Sequence, residues 1–556
     1  MKEIIAREIN QLVDMPIDQI IALLEIPPSS SLGDFAFPCF NLAIEMRKNP
    51  SEIAGELALK LKSDKFEKVE SRGPYINFFL NRKNIAEKTL TQILKEKDKY
   101  GSQNLGKKKV VVIDMSSPNI AKPFGVGHLR STIIGNSLSK IGKFFGFKVI
   151  KLNYLGDWGT QFGKLVVGYK KFGSESKLKK NPINHLLDLY VKVSSDPNLE
   201  EESRKEFKSL EDGDKKNLAL WSKFRKLSLL EFDRIYKILN IQFDAISGES
   251  YYNKKMDSTL SELNKKNLLK KSEGAQIIDL NSFGLGACLI KKSDGATLYA
   301  TRDITAAIDR VNKYKADYLV YEVGSEQKLH FRQVFKVLEL LGYKWADRCS
   351  HVDHGLYLDA DGKKFSTRQG KTVLMIDILN ETIEIAMKEI SKREKLSKLE
   401  LGRRALAIAR AAIFYGDLKN FRSNDIVFDI QRFLDFEGNT GPYLLYTYAR
   451  AKSILRKAKY KKFGKVKVLF LSDKEKALVL SLANFSEVVM QAYKDFAPNY
   501  IANYAYGIAK EFNEFYHSEK VIGSNNEKLK LSIVDAFSHV LKNALALLGI
   551  DVIEKM

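Results

Sequence analysis

Cysteine is scarce in this chain: Cys39, Cys288 and Cys349 stand far apart, in no CxxC or CxxH pair. That argues against a zinc site and for a reducing compartment. No run of about 18 apolar residues occurs, which excludes a membrane-spanning helix, so no membrane partner is expected. Nothing at the N-terminus resembles a signal peptide, because "MKEIIAREINQLVDM" mixes acids and bases along an amphipathic helical pattern; a cytoplasmic location is the expectation. Internal repeats and long low-complexity segments are absent. So is any Ser-His-Asp or Cys-His constellation that would supply a side-chain nucleophile.

What the chain does have is length and positive charge. Its 556 residues exceed one ordinary core and imply roughly three or four domains. A composition 44% hydrophobic and 29% charged is that of a folded globular protein. The formal net charge of +23 points to a polyanionic partner such as nucleic acid, or merely to a lysine-rich, soluble surface; charge alone does not choose.

Residues 1–105 read as a small α+β unit: a first helix, a glycine-bearing turn "SSLGDFAFP", helices through "NLAIEMRKNPSEIAGELALKLK", a strand "GPYINFFL" and a charged exit helix. The lysine-rich "KEKDKYGSQNLGKKK" reads as a linker. Residues 106–375 open with strand, turn, helix and a second strand, a βαβ unit of doubly wound type. A charged helical insertion follows near 171–225. The sheet is expected to resume at "AQIIDL", "ACLIKKSDGATLYATRD", "YLVYEVG" and "CSHVDHGLYL". After about 375 strand signals nearly vanish, leaving a helical connector at 376–424 and a helical bundle at 425–556. The expected fold class is therefore α/β: a Rossmann-like, doubly wound parallel sheet, a small α+β N-terminal domain and an all-α C-terminal bundle.

The β-branched run "KKKVVVID" ends just before "SSPNIAKPFGVGHLRSTIIG", residues 116–135, after which Leu129, Ile133, Ile134, Leu138 and Ile141 fall on one helical face. Such a strand-to-helix turn sits at the carboxyl end of a strand, where ligands bind, and the free N–H groups of the helix start favour an anion. Gly125 and Gly127 let a bound group approach the backbone, and His128 can donate a hydrogen bond. An adenine nucleotide suits this turn; a glycine-rich βα loop without ligand is the alternative for the stretch alone.

The same stretch followed by "NYLGDWGTQFG" resembles the first signature of class I aminoacyl-tRNA synthetases, and specifically the arginyl-tRNA synthetase family. "SDGATLYATRD", the loop "KKFSTRQGKTV", the bundle signature "FDIQRFLDFEGNTGPYLLYTYARAKSILRKA" and the ending "LALLGIDVIEKM" extend the resemblance over nearly the whole chain. "LGDFAFP" and "GPYINFFL" are similar to that family's tRNA-contacting N-terminal domain. The resemblance implies an ATP-dependent ligase that converts L-arginine to arginyl-adenylate and transfers it to the 2′-hydroxyl of the terminal adenosine of tRNA-Arg. It also implies that bound tRNA is needed for activation, that Mg²⁺ enters with ATP, that no zinc is used, and that the enzyme is a monomer. A catalytically silent tRNA-binding protein on the same fold is the alternative.

By the resemblance, Asn119, Glu249, Tyr299, Asp303 and Gln327 form the arginine site. The chemistry agrees, since a guanidinium takes a carboxylate fork plus neutral acceptors. Tyr299 and Asp303 share a face only if their segment is helical. The phosphates of ATP fall to Gly125, Gly127 and His128 in the first signature and to Lys364, Ser366 and Thr367 in the KMSKS-like loop. Two departures stand out: Gly125 replaces the first histidine of His-x-Gly-His, and Thr367 replaces the loop's second lysine. Lys122, just upstream of the first signature, is placed to substitute for that lysine, so Lys122, His128, Lys364 and Ser366 are the expected catalytic set. In the bundle, Tyr443, Tyr446, Tyr448 and Arg450 are the expected tRNA contacts, with core packing an equal alternative for the three tyrosines.

Overall fold

The computed structural model of the chain describes residues 2–292, 299–363, 374–461 and 466–556. Near the N-terminus, β1 (Phe35–Pro38), β2 (Phe66–Arg72) and β3 (Tyr75–Leu80) pair antiparallel in the order β1-β3-β2. Ile76, Phe78 and Leu80 alternate inward along β3 and pack on Ile5, Ile9, Ile53 and Leu57 of two helices. Only β3 was expected. The β1 stretch sits in "SSLGDFAFP", which carries the glycine and proline of a turn, and the charged "FEKVESR" of β2 hides its strand character because most of its side chains face solvent.

The expected linker is not loose. Tyr100 is 3% exposed, stacks on Phe485 at 6.1 Å and donates its hydroxyl to the Leu482 carbonyl at 3.3 Å. One aromatic in a lysine-rich stretch has found the core of the bundle.

Three strands begin the central sheet: β4 (Val110–Asp114), β5 (Lys148–Leu155) and β6 (Ala245–Gly248). Between β5 and β6 lies the helical insertion, whose last helix, Lys215–Leu239, outruns the expected end at 225. Next come β7 (Lys270–Ser272), β8 (Ala275–Asp279) and β9 (Ala287–Lys291), which form a separate antiparallel sheet. This corrects the expectation that "AQIIDL" and "ACLIKK" rejoin the main sheet: the link 280–286 is too short for the crossover that parallel pairing needs. "YATRD" is likewise no strand but the start of the helix Tyr299–Tyr314, with Ala300, Ile304 and Ala307 buried at helical spacing.

The chain then returns to the central sheet with β10 (Tyr318–Gly324) and β11 (Cys349–His354). The order is β11-β10-β4-β5-β6, every pair parallel. From β4 the chain builds outward on one side and later on the other, so the carboxyl end of β4 is the switch point where such sheets bind ligands.

Short β12 (Tyr357–Leu358) pairs with β13 (Ile426–Val427) beside two connector helices, Met375–Arg393 and Lys398–Leu418. Five helices of ten residues or more follow, from Gly441–Lys457 to Glu527–Leu547. Gly441 lets this bundle touch the connector, because a Cβ there would sit 2.0 Å from the Ala411 carbonyl oxygen. The helix Val126–Phe144 buries the predicted face and most of its small polar residues too; its Ser137 hydroxyl donates to the Leu547 carbonyl at 2.9 Å. Among the described residues no helix is long and apolar enough to cross a membrane.

Candidate active site

The turn after β4 is built from unusual backbone. Ser116, Ser117 and Ala121 have φ of 75°, 47° and 58°, each costing about 1–3 kcal/mol for a residue with a Cβ. Side chains hold them there. Ser131 accepts the Ser116 N–H (2.9 Å), Tyr236 shares a hydrogen bond with the Ser116 hydroxyl (2.7 Å), and Ser228 accepts the Ala121 N–H (2.8 Å). The last two belong to the insertion helix Lys215–Leu239, so the insertion clamps the turn. Sequence reasoning missed Ser228 and Tyr236; only their place on a long amphipathic helix could have pointed to them.

At the helix start the Gly125 N–H donates to His128 Nδ1 at 3.1 Å, which leaves Nε2 to carry the imidazole proton outward. Burial, with Lys122 adding to it, pushes the His128 imidazolium down to about 4, so the ring is a neutral donor at physiological pH. A Cβ on Gly127 would meet nothing within 4 Å, and one on Gly125 only His128 Nδ1 at 4.0 Å. The space above both glycines is therefore open to a ligand. Lys122 rests with its ammonium 5.0 Å over the Tyr190 ring of the insertion. Lys364, Ser366 and Thr367 lie outside the described residues.

The segment 156–158 draws two of the expected arginine contacts together. Asn119 pairs with Gly156 as an isolated parallel bridge, and a Cβ on Gly156 would sit 2.0 Å from Asn119 Oδ1. Two residues on, the Trp158 N–H donates to Glu249 Oε2 at 3.3 Å. Glu249 follows β6 directly, in a turn held by buried Asp157, which accepts the Ser250 N–H at 2.8 Å and Ser250 hydroxyl at 2.9 Å. Gly248 is required there, because a Cβ would come 2.3 Å from Asp157 Oδ2.

Asp303 lies close enough to Glu249 to act on its ionisation. Burial pushes the Glu249 carboxyl up to about 7, with Asp303 adding to the push and Arg302, 3.6 Å away, pulling against it. Tyr299 and Asp303 occupy successive turns of one helix, as the i, i+4 spacing required, and Tyr299 is 65% exposed. Gln327 ends a short 3₁₀ turn just after β10 and is exposed. A third acid, Asp114, was not foreseen. It ends β4, is raised by burial, and pairs with buried Arg310 at 2.7 Å.

The expected bundle contacts divide. Tyr448 is 4% exposed and belongs to the core, so the packing alternative holds for it. Tyr443 is half-buried and its hydroxyl accepts from Asn513 at 2.8 Å. Tyr446 and Arg450 line a cleft of about 910 Å³ with Arg393, Phe436, Tyr516 and Lys520. There the Arg450 guanidinium sits 4.9 Å over Tyr446 and 5.2 Å over Tyr516. An aromatic and cationic cleft of this kind suits a nucleobase and its phosphate.

Three family models match in series: "Arginyl tRNA synthetase N terminal domain" over residues 1–80, "tRNA synthetases class I (R), catalytic domain" over 89–430, and "DALR anticodon binding domain" over 444–556. The arginine--tRNA ligase of Clostridium perfringens is 46% identical and that of Clostridium botulinum strain Alaska E43 is 47% identical, each over 100% of both chains. Among solved structures, the arginyl-tRNA synthetase of Thermus thermophilus superposes with a TM-score of 0.83 at 25% identity, covering 100% of this chain and 99% of that one. The enzyme from Plasmodium falciparum gives 0.80 at 26%, covering 96% and 94%. Full-length likeness to named ligases does not favour a silent RNA-binding protein.

Proposed function

This chain belongs to the arginyl-tRNA synthetase family, and from that premise we propose which of its residues carry the reaction of an arginine–tRNA ligase. The carboxylate of L-arginine attacks the α-phosphorus of ATP, forming arginyl-adenylate and releasing pyrophosphate. The 2′-hydroxyl of the terminal adenosine of tRNA-Arg then attacks the acyl carbon and releases AMP. Because the substrate carboxylate is the nucleophile, the protein supplies orientation and charge stabilisation.

His128 donates Nε2–H to ATP phosphate oxygens, Gly125 and Gly127 give them access to the helix start, and Lys122 swings from Tyr190 to join them. Lys364, Ser366 and Thr367 supply the further phosphate contacts that the sequence resemblance implies. Mg²⁺ arrives on ATP; the turn offers an imidazole N–H and an ammonium, which suit phosphate oxygens rather than the metal. Glu249 and Asp303 form the fork for the guanidinium, Tyr299 covers it, and Asn119 and Gln327 anchor the α-ammonium and carboxylate. Tyr446 and Arg450 contact tRNA in their cleft, and Tyr443, one helical turn before Tyr446, adds to that contact. The domains divide near 105, 375 and 424. Activation requires bound tRNA, and the enzyme works as a cytoplasmic monomer.

The observation that carries the arginine assignment is the closeness of Asp303 to Glu249, whose raised carboxyl it helps to hold up, beside the strap 156–158. Glu249→Gln and Asp303→Asn are expected to raise the KM for arginine by about 100-fold while moving the KM for ATP little, as loss of a charge-assisted pair should. Aminoacylation kinetics check this; equal effects on both substrates would contradict it.

A further inference from the structure

We propose that His330 is a positioning residue for arginine recognition: it fixes the Asp303 carboxylate by a hydrogen bond while leaving its charge to the substrate guanidinium. This rests on the reading that Asp303 takes that guanidinium.

His330 Nε2 lies 2.7 Å from Asp303 Oδ2, with the two side chains 24% and 20% exposed. A carboxylate can only accept, so Nε2 carries the proton and donates it. The contact spans two elements, joining the helix Tyr299–Tyr314 to the helix Lys328–Leu341. Phe331 stands edge-on to the imidazole at 5.3 Å and is itself packed on Tyr321 at 4.9 Å, which backs the ring with core. Among the described residues no hydrogen bond is made to Asp303 Oδ1, so that oxygen is available to a ligand.

The choice of donor distinguishes Asp303 from its neighbours. Asp303 stands close enough to two other acids, Asp114 and Glu249, to add to the upward push that burial gives their carboxyls. Both of those face a permanent cation: Arg310 is 2.7 Å from Asp114 and Arg302 is 3.6 Å from Glu249. Asp303 instead meets an imidazole. With Arg302 already 3.6 Å from Glu249, a lysine or arginine at Asp303 would put a second permanent cation in the fork, whereas an imidazole N–H orients the carboxylate without adding one. A carboxylate locked before binding also spares the substrate the entropy of ordering it. His330 stands one helical turn beyond Gln327, so the segment "QKLH" carries one proposed substrate contact and the residue that sets another.

The test is steady-state aminoacylation by the full chain with tRNA, comparing KM for arginine, KM for ATP and kcat. His330→Ala is expected to raise the KM for arginine about tenfold, with kcat and the KM for ATP within about threefold. His330→Gln, which places a neutral N–H near the position of Nε2, should restore most of the loss. His330→Lys should be at least as poor as alanine. Adding His330→Ala to Asp303→Asn should cost little beyond Asp303→Asn alone. An unchanged KM for arginine in His330→Ala, a parallel loss for ATP, or rescue by lysine would overturn the proposal. Should the alanine variant fail to fold, the glutamine and lysine variants decide by differing or by behaving alike. An Asp303→Asn enzyme with a normal KM for arginine would instead remove the reading of Asp303 and the proposal with it. A raised KM in Asp303→Asn beside a normal one in His330→Ala would remove the proposal alone.

Discussion

On the proposed assignment, arginine recognition passes through a carboxyl that burial makes reluctant to ionise. Glu249 is held up to about 7 by burial, and a cationic substrate selects its ionised form. Below pH 7 the free enzyme must release a proton to bind arginine, so the apparent affinity should fall by up to about tenfold per pH unit on acidification and level off above 7. Glu249→Gln should flatten that limb while weakening binding overall. The KM for arginine measured between pH 5.5 and 8.5 (~ values bracketing the Glu249 transition) checks this, and a wild-type profile flat across that range would count against Glu249 as the acceptor. His128 contributes no such limb, because its imidazolium is pushed down to about 4 and the ring stays neutral throughout.

At the scale of elements, the site depends on glycines that let side chains approach backbone. Gly156→Ala would drive a methyl to within 2.0 Å of Asn119 Oδ1. That variant should raise the KM for arginine by about tenfold or more through displacement of Asn119, with a smaller change for ATP; equal changes would show that the whole turn had moved. Much of this was legible in the sequence. β4, the signature turn and the buried face of the helix Val126–Phe144 follow from apolar periodicity and glycine placement. What escaped has physical causes. β2 is charged because one face is wet, the antiparallel sheet β7–β9 has the same residue preferences as the parallel one, and "YATRD" alternates like a strand while packing as a helix. Among site residues, Asp114, Asp157, Ser228 and His330 carry no local signal. Each matters through a partner distant in sequence, 27 residues for His330 with Asp303, 68 for Asp157 with Arg225 and 107 for Ser228 with Ala121, separations that only the fold can close.

At the scale of the molecule, the bundle is no appendage to the catalytic sheet. Arg130, one turn after Val126 in the signature helix and 1% exposed, donates to the carbonyl of Asn424 at 2.6 Å and to that of Leu356 at 3.3 Å, and lies 3.5 Å from Asp417 of the connector. Tyr357 of β12 also donates to Asp417. Signature helix, connector and β12 thus meet at one buried ion pair. On the C-terminal side, the connector faces the bundle cleft through Arg393 and Arg404. On the proposed assignments, tRNA in that cleft would touch the connector that also pairs with the signature helix, a physical basis for coupling between the two sites. The most direct measurement is arginine-dependent ATP–pyrophosphate exchange by the purified chain, with and without tRNA-Arg. Exchange that appears only with tRNA is the predicted result. No exchange in either condition, from folded protein that binds tRNA, would contradict the account of the arginine and ATP sites.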